Sequence, residues 1–209
     1  MHNHFTINIG RQFGSGGKSI GERLAKRLGV KLYDKELLLW AARESGFCEE
    51  CFEQRDEQRE GIRALFGHFR IPFVGNYQSC DSPLSGETLF RIQSDVIRQV
   101  AEHESCIFVG RCADYILRDH PRSINLFFTA DKEDRIRRIC TRTGCSANEA
   151  EAKMEAMDRQ RARYYNYYTT RRWGDAASYD LTINTSRLGE EGTVDLVIDF
   201  INKKLKINE

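Results

Sequence analysis

Gly14-Ser15-Gly16-Gly17-Lys18-Ser19 combines the residue types that hold a polyphosphate. Glycines let backbone N–H groups approach phosphate oxygens with no side chain in between, a lysine neutralises their charge, and a serine hydroxyl can ligate Mg²⁺. The run follows Phe5 to Ile9, which alternates like a strand, and precedes Ile20, Leu24 and Leu28 at helical spacing. A loop between strand and helix aims its amides and the positive helix end at one point. Gly14, Ser15, Gly16 and Gly17 are therefore read as an anion cradle, Lys18 as the cation for the terminal phosphates, and Ser19 as the metal ligand. The strict spacing G-x-x-x-x-G-K-[ST] is not kept, because its first glycine position is Gln12 and Gly10 lies two residues earlier. The plain alternative is a glycine-rich turn with Lys18 and Ser19 in the next helix by coincidence.

Cations and carboxylates elsewhere fit the same chemistry. Arg135, Arg138 and Arg142 fall at i, i+3 and i+7, so one helix presents them on a face opposite Ile136 and Ile139. They read equally as a phosphate clamp or as a solvated basic face. Asp158 and Arg161 are helical neighbours, as an intrahelical salt bridge would also require. Asp34 follows the second strand candidate, at the mouth where ligands of parallel sheets collect, and it can also cap the helix that Lys35-Glu36-Leu37 begins. Tyr164, Tyr165, Tyr167 and Tyr168 are read as packing rather than base-stacking. Asp180 either serves a nucleotide or ends a strand.

The elements that must position these residues are legible as a strand and helix alternation. Strand candidates recur at Cys106 to Val109, Ile124 to Phe128 and Leu181 to Ile183, with amphipathic stretches between them, which implies an α/β fold with a mainly parallel sheet. Asp131 heads one helix, Ser146 with Glu149 has the capping-box pattern, and Val194, Val197, Ile198, Ile201 and Leu205 line the last helix. Two stretches interrupt the rhythm. Residues 49–87 are charged, then turn-rich, with two of the chain's three prolines, and residues 135–175 are rich in arginine and tyrosine.

The 209 residues, 40% hydrophobic and 30% charged, suit one globular domain with an insertion. Net charge is +1, from 32 basic and 31 acidic residues, which supplies no global field for nucleic acid or an anionic membrane. No apolar run reaches membrane-spanning length, and Met1-His2-Asn3-His4 lacks the basic and apolar segments of a signal peptide, so a cytoplasmic location is expected. The seven cysteines are an odd, scattered set that predicts reduced thiols, and Cys48-Glu49-Glu50-Cys51 is read as surface thiols rather than a metal site. His2 and His4 are read as part of a loose terminus.

Ile9 to Gly21 (IGRQFGSGGKSIG) resembles the start of the cytidylate kinase-like family, a divergent branch of the P-loop nucleoside monophosphate kinases. Leu32 to Leu37, Val109 to Tyr115, Met157 to Tyr165, Trp173-Gly174-Asp175 and Tyr179-Asp180-Leu181 extend the resemblance over nearly the whole chain. The resemblance implies a single three-layer α/β P-loop kinase domain with a five-stranded sheet (core 1–48, 88–134 and 176–209), an inserted helical substrate lobe at about 49–87 and an arginine-bearing lid at about 135–175. It further implies ATP and Mg²⁺ as cofactors, a small-molecule nucleotide substrate, most simply CMP or dCMP, and no nucleic-acid or membrane partner. Cytidylate kinases end the third strand in G-R-D, the arginine meeting the acceptor phosphate and the aspartate lying near the reacting phosphates. This chain reads Gly110-Arg111-Cys112, so Arg111 carries over, the aspartate does not, and Asp114 is the nearest stand-in. Asp158 and Arg161 match lid positions that approach the acceptor, and Asp34 is placed with them. Lys18, Arg111 and Arg161 are thus the expected catalytic cations; Arg63 or Arg70 of the inserted lobe could meet the acceptor phosphate. A nucleotide-binding regulatory protein with little turnover, or a kinase of another small acceptor, fits the same residues.

Overall fold

The computed structural model describes residues 4–34 and 86–206. The chain runs β1 (Thr6–Arg11), α1 (Gly17–Leu28), β2 (Lys31–Tyr33), α2 (Gly86–His103), β3 (Cys106–Val109), α3 (Ala113–Ile116), β4 (Ser123–Thr129), α4 (Lys132–Thr143), α5 (Ala147–Thr169), a 3-10 turn (Ala176–Ser178), β5 (Leu181–Asn184) and α6 (Thr185–Leu205). All pairings among the described residues are parallel, in the order β2-β3-β1-β4-β5, so these strands end on the same edge of the sheet. From β1 the chain moves toward β2, and from β3 it crosses back to β4. The topological switch, where a crevice opens at the strand ends, therefore lies between β1 and β3.

The strands are apolar on both faces because both are covered. Ile7, Ile9, Ile107, Val109, Leu126 and Ile183 pack with Ile20 and Leu24 of α1 and Val194, Val197 and Ile201 of α6. Cys106 and Phe108 point the other way, into Ile92, Val96, Ile97 and Val100 of α2 and the short α3. This is the three-layer α/β core. A smaller cluster of Ile139, Ala150 and Met154 joins α4 to α5 and receives Phe13 from the glycine loop.

The helix signals have specific outcomes. Ser146 and Glu149 form both bonds of a capping box at α5, a device worth about 1 kcal/mol. Asp131 stands at the cap position of α4 without capping it; its carboxylate accepts from Asn184 Nδ2 at 2.8 Å and pairs with Arg187. The last helix is longer than its apolar stripe suggested. It begins at Thr185, breaks at Gly189 (φ 66°, ψ −179°) and resumes, and the break turns Glu190 toward α1. Tyr165 and Tyr168 pack as expected, Tyr165 buried and Tyr168 stacked on Phe90 at 4.1 Å. Asp180 directly precedes β5 rather than serving the mouth, accepting from Asn125 N at 2.7 Å and pairing with Lys204. Cys106, Cys112, Cys140 and Cys145 are unbridged. Cys48, Cys51, Cys80, His2, Arg63, Arg70, the stretch after Asp34 where a helix was expected and nearly all of the 49–87 insertion lie outside the described residues. Among the described residues, no helix is long and apolar enough to cross a membrane.

Candidate active site

β1 ends at Arg11, and five residues later α1 starts with Gly16 as its left-handed cap. Gly14 also has positive φ (83°), and a side chain there would meet the Arg135 carbonyl at 2.9 Å, so glycine is required on both counts. The carbonyls of the loop are all engaged by protein donors. Arg161 Nη1 donates to Arg11 O at 2.9 Å, Ser15 Oγ to Gln12 O at 2.9 Å, Arg135 Nε to Phe13 O at 2.7 Å, Arg138 Nη1 to Gly14 O at 3.3 Å and Thr185 Oγ1 to Ser15 O at 2.8 Å. Carbonyl oxygens would repel an anion, and here they are tied outward. The amides of Gly14, Gly16 and Gly17 have no acceptor among the described residues. A glycine loop that withholds its oxygens and leaves amides open at a helix N-terminus has the geometry that accommodates an anion.

The arginine face of α4 is thereby resolved: Arg135 and Arg138 brace the loop, and Arg142 lies 5.1 Å from the Phe13 ring. Asp158 joins the same brace. One oxygen accepts from Phe13 N at 2.7 Å and the other pairs with Arg135, whose side chain is 8% exposed. The structure thus places Asp158 behind the loop rather than across an open cleft. Arg161, one turn on, bonds Arg11 O and lies 5.5 Å from Phe13, and burial followed by the nearby Arg135 and Arg142 lowers its pKa despite Asp158.

Arg111 stands at the opposite wall. Gly110, Arg111 and Cys112 have φ of 81°, 57° and 58°, three successive left-handed residues at the end of β3. For the two non-glycines this conformation costs on the order of 1–3 kcal/mol each, and such strain concentrates at functional sites. It directs the Arg111 guanidinium to within 5.2 Å of the Tyr164 ring. Cys112 is buried, with its thiol pushed up to about 12 by desolvation and by Asp114. Asp114 does not take the missing aspartate's place: it is 8% exposed and accepts from Tyr165 Oη at 2.6 Å, and burial raises its pKa.

Lys18 and Asp34 form an ion pair, Nζ to Oδ2 2.9 Å, with the lysine side chain 59% exposed. Ser15, counted in the cradle, is buried and holds the turn through its hydroxyl. Ser19 donates to Glu190 Oε2 at 2.6 Å. That bond fits a Mg²⁺ ligand, because a hydroxyl that gives its proton to a carboxylate still offers lone pairs to the metal. Among the described residues no group of three His, Cys, Asp or Glu side chains converges as a cage, and Mg²⁺ in phosphate sites relies on few protein oxygens. Glu190 and Thr185 carried no sequence motif; the start of the last helix directly after β5 brings Thr185 to the loop, and the kink at Gly189 brings Glu190.

The model of the cytidylate kinase-like family matches residues 6–187, from β1 through the start of α6. The chain belongs to the cytidylate kinase-like family. A cytidylate kinase of Archaeoglobus fulgidus is 23% identical over 209 residues, covering 97% of this chain and 98% of the relative. Cytidylate kinases of Halobacterium salinarum (26% identical, 54% of this chain) and Methanothrix thermoacetophila (31%, 51% of this chain) are matched over 60% of their own length. Among solved structures, an uncharacterized protein from Eubacterium ventriosum superposes with TM-score 0.73 at 28% identity, covering 95% of this chain and 99% of the other. A shikimate kinase from Bacteroides thetaiotaomicron, with TM-score 0.52 at 14% identity, covers 95% of this chain and 98% of its own and shares the fold. In this family member the loop, Arg111 and Arg161 occupy one mouth of the sheet.

Proposed function

We propose that this protein transfers the γ-phosphoryl group of ATP to a nucleoside monophosphate, CMP or dCMP, giving the diphosphate. One observation carries the reading: open loop amides and several arginines converge at the β1/β3 switch point. The family and the names of the three cytidylate kinases this chain resembles support the acceptor class. Transfer needs alignment and charge neutralisation more than covalent help from the protein. The bond from the γ-phosphorus to the oxygen bridging it to the β-phosphate breaks, and its electron pair stays on ADP. A bond forms from the acceptor's phosphate oxygen, already anionic, so no general base is required. The loop of Gly14 to Ser19 holds the donor phosphates, and Arg111 and Arg161 orient the acceptor and meet the charge on the transferring group. Lys18 with Asp34 stands on the β2 side of the same mouth. Ser19, backed by Glu190, would hold Mg²⁺, which supplies charge neutralisation between the phosphates when bound.

The test is to incubate the purified protein with Mg·ATP and each common monophosphate and separate the products. A diphosphate formed fastest from CMP or dCMP is expected; no product from any monophosphate overturns the reading. A nucleotide-binding regulatory protein with little turnover is the second reading, favoured by the buried Cys112 and by Asp114 turning to Tyr165. It expects calorimetric ATP binding without product, including from small hydroxyl acceptors.

A further inference from the structure

Arg11 ends β1 on the switch-point side, and its side chain runs over the start of α1 toward Gly110. A Cβ at Gly17 would lie 2.7 Å from Arg11 Cβ and 3.0 Å from its Cγ, and a Cβ at Gly110 would collide with Arg11 Nη1. Two glycines, one opening α1 and one closing β3, thus clear a track for this one side chain. At its end the guanidinium shares the mouth with two more arginines. Arg161 bonds its backbone carbonyl, and burial, Arg161 and Arg111, in that order, lower its pKa to about 9. Asp34 is the carboxylate that acts against this, and it is paired with Lys18. Among the described residues, no hydrogen bond or ion pair takes up the Arg11 guanidinium. Three clustered cations, one of them without a protein partner among those residues, make a site whose stabilising ligand is polyanionic.

We propose that Arg11 is the cation that meets the reacting phosphates of the bound triphosphate, the role the motif spacing assigns to Lys18. The proposal rests on the phosphoryl-transfer reading of the site and adds to it the residue the sequence motif does not name. Lys18 leaves the loop for Asp34, whereas Arg11 lies across it. A side chain at position 17, directly before Lys18, would start in the space that Arg11 fills. The guanidinium's planar fork can hold two phosphate oxygens at once, and its charge does not vary near neutral pH.

The test compares R11M, R11K, K18M and R159M, the last removing an exposed arginine paired with Glu155 on the outer face of α5. Turnover with Mg·ATP and the best monophosphate, ATP affinity by calorimetry and thermal unfolding are measured for each. R11M is expected to lower kcat/KM by about a hundredfold or more, as removal of one preorganised charge-stabilising group does. R11K should keep the unfolding temperature and lose at least about tenfold, K18M should lose less than R11M, and R159M should match wild type. If R11M unfolds, R11K alone decides. Turnover of folded R11M within about threefold of wild type, R11K indistinguishable from wild type, or a greater loss in K18M than in R11M overturns the assignment. If wild type forms no product, the kinase reading falls, and ATP affinity decides instead. A roughly tenfold weaker affinity in R11M or R11K but not in K18M keeps Arg11 on the phosphates, and unchanged affinity removes it.

Discussion

At the scale of single residues, the mouth of the sheet is shaped by what each polar group is bound to. Glu190 accepts a hydrogen bond from the Ser19 hydroxyl and sits 2.8 Å from where a Gly16 side chain would begin, so it bears on the loop through Ser19. E190A is expected to raise the Mg²⁺ concentration for half-maximal turnover about tenfold or more, as loss of a supporting carboxylate does at other metal sites. A magnesium titration of the rate checks this: an unchanged requirement would remove Glu190 from metal support, and a higher rate at low Mg²⁺ would mean that Glu190 obstructs the metal. Asp114 titrates with the opposite sign to a salt-bridged carboxylate. Its folded pKa lies above the unfolded value of about 3.8. Its favourable share of stability is therefore complete below that value and is lost as pH rises through the folded pKa. D114N, which still accepts from Tyr165, should gain stability relative to wild type over that rise and then hold a constant margin. Urea midpoints of both proteins across acid and neutral pH test the sign; a margin that shrinks with pH refutes it.

At the scale of elements, α4 and α5 clamp the glycine loop through side-chain hydrogen bonds to its backbone. The pairing of Arg135 with Asp158 is nearly dry on the arginine side, and each partner also holds a backbone atom of Phe13. Removing one member of a buried pair strands the other, at a cost of about 3–5 kcal/mol. D158A should approach that cost in denaturant unfolding and should raise the KM for ATP, because Phe13 and Gly14 lose their brace. D158N, which can still accept from Phe13 N, should recover part of both losses. A normal KM in a destabilised but folded D158A would separate the clamp from nucleotide binding. The i, i+3, i+7 arginine pattern is legible in the amino-acid sequence, as is the D-x-x-R pair. Whether they face solvent, acceptor or loop is not, because a basic helix face has the same spacing whatever it docks against. The contact of α4 on the loop settles it through hydrogen bonds between residues 122 and 124 positions apart.

At the scale of the whole molecule, the site exists only where separate parts of the chain meet: β1 with its loop, the left-handed turn after β3, the α4 and α5 clamp and the kink of α6. A ligand that bridges them adds its binding free energy to folding, about 2.7 kcal/mol at a hundredfold excess over Kd. ATP is expected to raise the unfolding midpoint well beyond adenosine at equal concentration, since the converging groups are open amides and clustered arginines. Equal shifts from the two would contradict an anion-centred site. The order of strands and helices, the glycine loop, the capping box of Ser146 and the apolar stripe of α6 followed from the sequence alone, because periodicity, turn chemistry and caps act over a few residues. The partners of Lys18, Arg135, Asp158 and Glu190, and the track that Gly17 and Gly110 clear for Arg11, were decided by tertiary structure. Parallel strands bring their ends together across about a hundred intervening residues, and no local pattern records which side chain fills the space between two glycines.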